Sequence, residues 1–337
     1  VVKKANDLTP FVQREVKYRH LAHRLPLEPG QTRIFYLHLS DVVDRISSPN
    51  FIALWSEAAF AIHDHDERIL LGIYYGIICV MMLYNLFVFF SLRDRAYLYY
   101  VCSMFFACLW FVFYNGIASE YLLPNGLFPS GWNYHRSNTL IVSVTWVFML
   151  IFVRTFLHTQ IYAPRIHRLL ALLIAVNLLF AGIVLVDRYE PILPLSYLLI
   201  SIKWIVVLAT GVIVWRQGFR AARYFLVAWV AYLIGGFLLT ASALNLVPIT
   251  FITRNSIQIG HALEAILLSL ALADRINILR EEKEQEEETS RQAELRAHTA
   301  ELQAQAVEKE LQTAQNLQMG LMPSTPPQIP GFDVAGC

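Results

Sequence analysis

Two ionisable residues stand deep inside apolar runs. Lys203 lies about eight residues into the run 195–215, and Glu264 about nine into the run 256–277. At a helical rise both would sit at similar depth, roughly 12 Å from the same boundary of a membrane. An isolated charge there is costly, and a partner of opposite sign offsets much of that cost. A Lys203–Glu264 ion pair is therefore expected. His261, one turn from Glu264 on the same helix face, is placed to join it. Such a pair either fixes helix packing or shifts between two arrangements and carries a signal, and residue types alone leave both readings open. Asp274 and Arg275, where the last apolar run ends, complete the candidate coupling set. They either brace the emerging helix against Arg93-Asp94-Arg95 or sit at the membrane interface. Asn85, Asn115 and Asn177 read as residues that hydrogen-bond between helices rather than as ligand contacts. His63-Asp64-His65-Asp66 has metal-ligand types, and an extended backbone would put the two histidines on one face. No further Cys/His set lies nearby, so a polar connector to the first membrane helix is the preferred reading. No phosphate-binding glycine loop, nucleophile elbow or zinc-ligand spacing is present, and no catalytic or metal residue is assigned.

The elements that position these residues follow from composition. The chain has 337 residues, 56% hydrophobic and 16% charged, which is membrane-protein composition. Seven apolar stretches near the ~20 residues needed to cross hydrocarbon occur at 69–91, 97–117, 138–157, 168–186, 195–215, 224–244 and 256–277. One set of joints carries Arg93, Arg95, Arg165, Arg168, Arg216, Arg220, Arg223, Arg275 and Arg280; the other carries Arg136, Arg188 and Arg254. That bias places the N-terminal part outside and the C-terminal part in the cytoplasm. Tyr97, Tyr99, Tyr100, Trp132, Tyr134, Trp204, Trp215 and Trp229 read mostly as interfacial anchors. The cysteines, three in apolar runs and one at the last position, form no disulfide framework. Basic residues do not cluster with aromatics on a soluble stretch, so no nucleic-acid partner is expected.

Residues 1–66 are soluble in character. Gln31 to Ser40 alternates, Phe51 to Ile62 forms a second run, and Pro26, Pro29-Gly30 and Pro49-Asn50 punctuate them. This pattern predicts strands of an extracytoplasmic β-sandwich whose pairing partners lie outside the chain. From His261 to Met319 there is neither glycine nor proline, which predicts one unbroken helix on the order of 90 Å long. Leu295 and Leu302 are a heptad apart, while Val307, Leu311, Ala314 and Leu321 continue in a shifted phase. A parallel homodimer through a weak or adjustable coiled coil is expected, since a lone polar helix of this length has little to bury.

Leu70-Leu71-Gly72-Ile73-Tyr74-Tyr75-Gly76, Leu83-Tyr84-Asn85-Leu86-Phe87, Ser91-Leu92-Arg93-Asp94-Arg95-Ala96-Tyr97-Leu98-Tyr99-Tyr100 and the phrase His261 to Asn277 resemble bacterial seven-transmembrane receptors with diverse intracellular signalling modules, over about 66 to 280. Thr9-Pro10-Phe11-Val12-Gln13-Arg14, Pro29-Gly30-Gln31-Thr32-Arg33 and Leu54-Trp55 resemble the end of that family's extracytoplasmic jelly-roll sensor, which implies a small-molecule ligand such as a carbohydrate. Ala314 to Pro323 with Pro326 to Gly336 is similar to the start of a sporulation-E-type serine/threonine phosphatase of the type 2C class. That resemblance implies an output domain in which aspartates beyond Cys337 hold Mn²⁺ or Mg²⁺ and activate water. It also implies a phosphoprotein substrate, often an anti-sigma-factor antagonist.

The expected architecture is mainly α. It comprises part of a β-sandwich sensor (1–66), a seven-helix transmembrane bundle (67–277), a cytoplasmic signalling helix (278–322), and a linker with the first strand of a phosphatase domain (323–337). Both ends read as cuts through domains, so a longer protein is expected, in the bacterial inner membrane with lipid as its solvent. No cofactor is expected within the chain itself. A receptor with a histidine kinase or cyclase output is the alternative of the same class, although the helix contains no histidine-centred phosphoacceptor phrase. A transporter or channel using Lys203 and Glu264 is the alternative of another class, with no internal repeat to support it. Retinal chemistry is disfavoured, because the one membrane lysine is on the fifth span rather than the seventh.

Overall fold

Runs of apolar residues in lipid have one local solution, because every backbone N–H and C=O must be satisfied within the segment. The computed structural model describes residues 9–28, 30–36, 53–126, 134–186, 193–321 and 330–331, without the side chains of 134, 135, 193, 194, 197 and 274–283. Eight α-helices follow one another along these residues: α1 (Glu57–Leu92), α2 (Arg95–Tyr114), α3 (Tyr134–Phe156), the short α4 (Thr159–Tyr162), α5 (Pro164–Leu185), α6 (Leu193–Arg216), α7 (Ala222–Ala243) and α8 (Phe251–Leu321). Among the described residues seven helices are long and apolar enough to cross a membrane, as the composition predicts.

Local chemistry sets the helix ends. Ser56 caps α1 by accepting from the Ala59 amide, and Arg93 closes it in the left-handed region at φ 56°. Asp94 then caps α2 through the Ala96 amide. Pro164 opens α5, where its missing N–H costs nothing. Buried Arg136 on α3 donates to the carbonyls of Val184 and Leu185 at 2.7 Å, satisfying the end of α5. Helices α1, α2, α3 and α5 pack in succession, and α6 pairs with α7. Large apolar side chains such as Ile73, Phe87, Leu179 and Phe237 point outward, which suits a surface solvated by acyl chains.

The N-terminal expectation changes at Glu57. Residues 57–62, read as part of a strand, are the first turns of α1. Ala58, Ala59 and Ala61 behind a serine cap favour helix more strongly than Trp55 and Phe60 favour strand. Gln31–Tyr36 forms no strand, Leu37–Ser40 lies outside the described residues, and no strand occurs among the described residues. The premise for the His63-Asp64-His65-Asp66 metal cluster fails with it. On a helix these four residues fan around the axis, and no metal-binding group is present among the described residues.

The chain divides into two compact units, Val1–Asp274 and Arg275–Cys337. In the second, the α8 segment has exposed side chains from Glu284 to Leu321, with Leu295, Leu302, Val307, Leu311 and Leu317 all more than half exposed. Pro330-Gly331, where the expected linker meets the expected strand, forms a turn; the rest of both lies outside the described residues.

Candidate functional site

The span in α8 is the least apolar of the seven and the most buried, with 61% of its apolar window inside the bundle against 22 to 39% for the others. Polar residues at the centre of a bundle persist where they hold or pass something. Gln258, His261, Glu264, Ala265, Leu268, Ser269 and Leu272 recur at helical spacing and are all buried. This face meets α1 and α2 through a polar seam. Gln258 donates to Asn115 Oδ1 at 2.8 Å, and Asn115 donates in turn to the Tyr75 hydroxyl at 3.0 Å. His261 Nδ1 lies 2.8 Å from the Tyr74 hydroxyl, with Phe111 and Tyr232 against its ring. Tyr100 donates to Glu264 Oε1 at 3.5 Å. Asn85 donates to Ser269 Oγ at 2.7 Å, and the Tyr97 hydroxyl to the Leu272 carbonyl at 2.7 Å. Asn85 Oδ1 is buried without a hydrogen-bond partner, so the seam is not saturated.

The expected Lys203–Glu264 ion pair does not form. Lys203 Nζ donates to Asn177 Oδ1 at 2.8 Å and lies 4.8 Å from the centre of the Trp146 ring. Asn177 donates to the Ser143 carbonyl at 2.6 Å, so lysine and asparagine tie α6 to α5 and α3. Depth along a helix was readable in the sequence, but the direction around its axis was not. A run of aromatic contacts leads from Trp146 through Trp204 and Trp229 to Tyr232, which meets His261. His261, expected to join the pair, takes Tyr74 instead. Asn85 joins two helices, and Asn115 and Asn177 join three each. Asp274 and Arg275 lie on α8, and their proposed brace falls outside the described side chains. Tyr97, Tyr100 and Trp229, read as interfacial anchors, are almost wholly buried.

A second polar cluster lies where the N-terminal segment meets α1 and α8. Arg19, with its side chain 2% exposed, ion-pairs with Glu67 and with Asp64 at 3.5 Å. Tyr18 donates to Glu67 at 3.0 Å. Burial, with the Glu67 carboxylate beside it, holds the Tyr18 phenol above the usual range. The other oxygen of Glu67 faces His63 at 3.4 Å and Arg254 of α8 at 3.5 Å. Arg68 links Asp64 at 2.9 Å to Glu120 at 3.0 Å. Beneath this clasp the Arg19 carbonyl rests on Gly116. A Cβ there would come within 2.6 Å of that oxygen, and φ is +72°. Nothing in the sequence marked Arg19 or Glu67, because their partners lie on other elements.

A family model described as 7TM diverse intracellular signalling matches residues 67–275. The chain belongs to this family. The 7TM diverse intracellular signalling region holds the whole seam from Tyr74 to Leu272, and the Arg19 side of the clasp precedes it. Membership makes the chain a multi-pass membrane protein with a receptor-like signalling domain. No curated protein and no solved structure matches the chain.

Proposed function

We propose that this chain is the membrane portion of a bacterial signal receptor in which a small molecule, of which carbohydrate is one class, acts on the N-terminal side. The α1–α2–α8 seam then shifts, and α8 delivers the change to an output domain. The observation that carries this reading is α8 itself. Its most buried, least apolar stretch is hydrogen-bonded to α1, α2 and α7, and the same helix runs on to Leu321. A span with mixed polar contacts has alternative partners available, which a purely apolar one lacks. The clasp supports the input end, since Glu67 contacts both the N-terminal segment and Arg254 of α8.

In this reading the arginine bias puts the N-terminal side outside and the α8 C-terminus in the cytoplasm of an inner-membrane protein. Two copies pair through the exposed leucines of α8. The output is a Mn²⁺- or Mg²⁺-dependent phosphatase of the sporulation-E type acting on a phosphoprotein. Asp274 and Arg275 join His261, Glu264 and, through the aromatic run, Lys203 as coupling residues. The test is Mn²⁺-dependent hydrolysis of a phosphoserine substrate by the longer reading frame in nanodiscs, for wild type and Glu264→Gln. A changed rate supports coupling through the seam. An unchanged rate reduces Glu264 to packing, and no hydrolysis by folded protein removes the phosphatase output.

A further inference from the structure

At the end of the bundle where α3 stops and α5 begins, a cavity of about 280 Å³ is lined by Ile151, Arg154, Thr155, His158, Gln160, Ile161 and His167. Its chemistry is one-sided. Arg154 Nη2 lies 2.6 Å from His167 Nε2, and a guanidinium can only donate, so Nε2 is the accepting nitrogen. The other ring nitrogen, Nδ1, faces Thr159 Oγ1 at 2.9 Å, and Thr159 donates to the Arg154 carbonyl at 3.3 Å. This loop holds the guanidinium in place while using little of its donor capacity. Arg154 Nε is buried with no hydrogen-bond partner, and among the described residues Arg154 forms no ion pair with a carboxylate.

Carboxylates are sparse at this end of the bundle, where Asp94 caps α2 and Asp274 lies on α8. Between Glu120 and Asp187 the sequence has no acidic residue, and between Glu190 and Glu264 it has none. The same end of the helices carries exposed Arg165 and Arg168 on the first turns of α5, and Arg216, Arg220 and Arg223 around the α6–α7 turn. A guanidinium that lines a cavity without a carboxylate partner among the described residues, beside an arginine-rich helix end, suits an anion from outside the chain. Arginine's planar fork fits the oxygens of a phosphate in particular.

We propose that this cavity binds a phosphate-bearing anion, with Arg154 as its main ligand and the Gln160 amide at its rim. The source is either the headgroup of an anionic lipid or a soluble phosphate compound. Exposed Ile161 beside the cavity offers apolar surface for an acyl chain, and cationic pockets between spans suit lipid phosphates. The His158 ring packs edge-on against Phe219 at 5.7 Å, so an occupant would also bear on the α6–α7 turn.

The test measures thermal unfolding of the purified chain in phosphatidylcholine nanodiscs with and without phosphatidylglycerol, and in detergent titrated with inorganic pyrophosphate. Wild type is expected to be stabilised by at least one of these probes. Stabilisation by phosphatidylglycerol alone identifies a lipid headgroup, and stabilisation by pyrophosphate identifies a soluble anion. Arg154→Gln should weaken the response about tenfold in concentration, as expected for loss of one charge-assisted contact. Arg165→Gln/Arg168→Gln, outside the cavity lining, should weaken it far less. Wild type indifferent to both probes overturns the proposal. So does a double arginine variant that loses as much as Arg154→Gln, since that pattern means diffuse surface attraction.

Discussion

Arg19 is the residue whose removal should be felt most. Its side chain is nearly inaccessible and faces two carboxylates, so Arg19→Gln leaves Glu67 partly buried without its main cation, while Asp64 keeps Arg68. Breaking a buried pair from one side costs roughly 3 kcal/mol, whereas removing both partners costs less. Thermal unfolding in mild detergent should therefore show Arg19→Gln much less stable than wild type, with Arg19→Gln/Glu67→Gln recovering part of the loss. If the double variant is worse than the single one, the clasp is not held by charge. Within the seam, Tyr97→Phe deletes one hydrogen bond to the Leu272 carbonyl. Such bonds between membrane helices are worth about 0.6 to 1.5 kcal/mol, so a small loss in the same assay is expected. At this scale the sequence marked the costly groups and missed their partners. Lys203 and Glu264 stood out because charge in an apolar run is rare. Tyrosines in the same runs look like any other aromatic until the helices are assembled.

At the scale of elements, helix count and order were legible because lipid permits so few backbone solutions. The start of α1 was not, because Phe51 to Ile62 carries both a strand-like aromatic pattern and an alanine-rich helical one, and the Ser56 cap decides between them. Helix proximity was equally hidden. Gly235 on α7 faces the backbone of Ser256 on α8 so closely that a Cβ would overlap the Ser256 carbonyl, and Gly260 approaches Ala231 and Tyr232 from the other side. Gly235→Ala must push α8 away, at an overpacking cost of about 1–3 kcal/mol, and should also disturb the Ser256 hydroxyl bond to the Gly235 carbonyl. Gly236 has open space around the same position. Gly236→Ala should be neutral or slightly stabilising, gaining up to about 1 kcal/mol of helix propensity. Unfolding measurements on this adjacent pair separate close packing from propensity. Equal effects at the two sites would mean that α7 and α8 do not pack as described.

For the whole molecule, composition was enough to establish a membrane bundle, and the arginine bias supplied an orientation to test. The heptad phase in α8 remained ambiguous, because leucines spaced seven apart mark a seam without naming what fills it. In the folded chain Leu295 and Leu302, a heptad apart, are each more than half exposed. A helix that repeats exposed leucines among glutamates gains most by setting that stripe against a second copy of itself. Leu302→Cys should then cross-link between copies under mild oxidation in membranes. Ala304→Cys, on the far side of the helix by its spacing, should do so poorly. Introducing charge at the stripe with Leu295→Glu/Leu302→Glu should lower the dimer fraction seen by mass photometry, because like charges would face one another across the seam. Equal cross-linking at positions 302 and 304 would instead describe two helices that meet by collision. The output would then have to be switched within one chain, and α8 would act by changing its own position rather than its pairing.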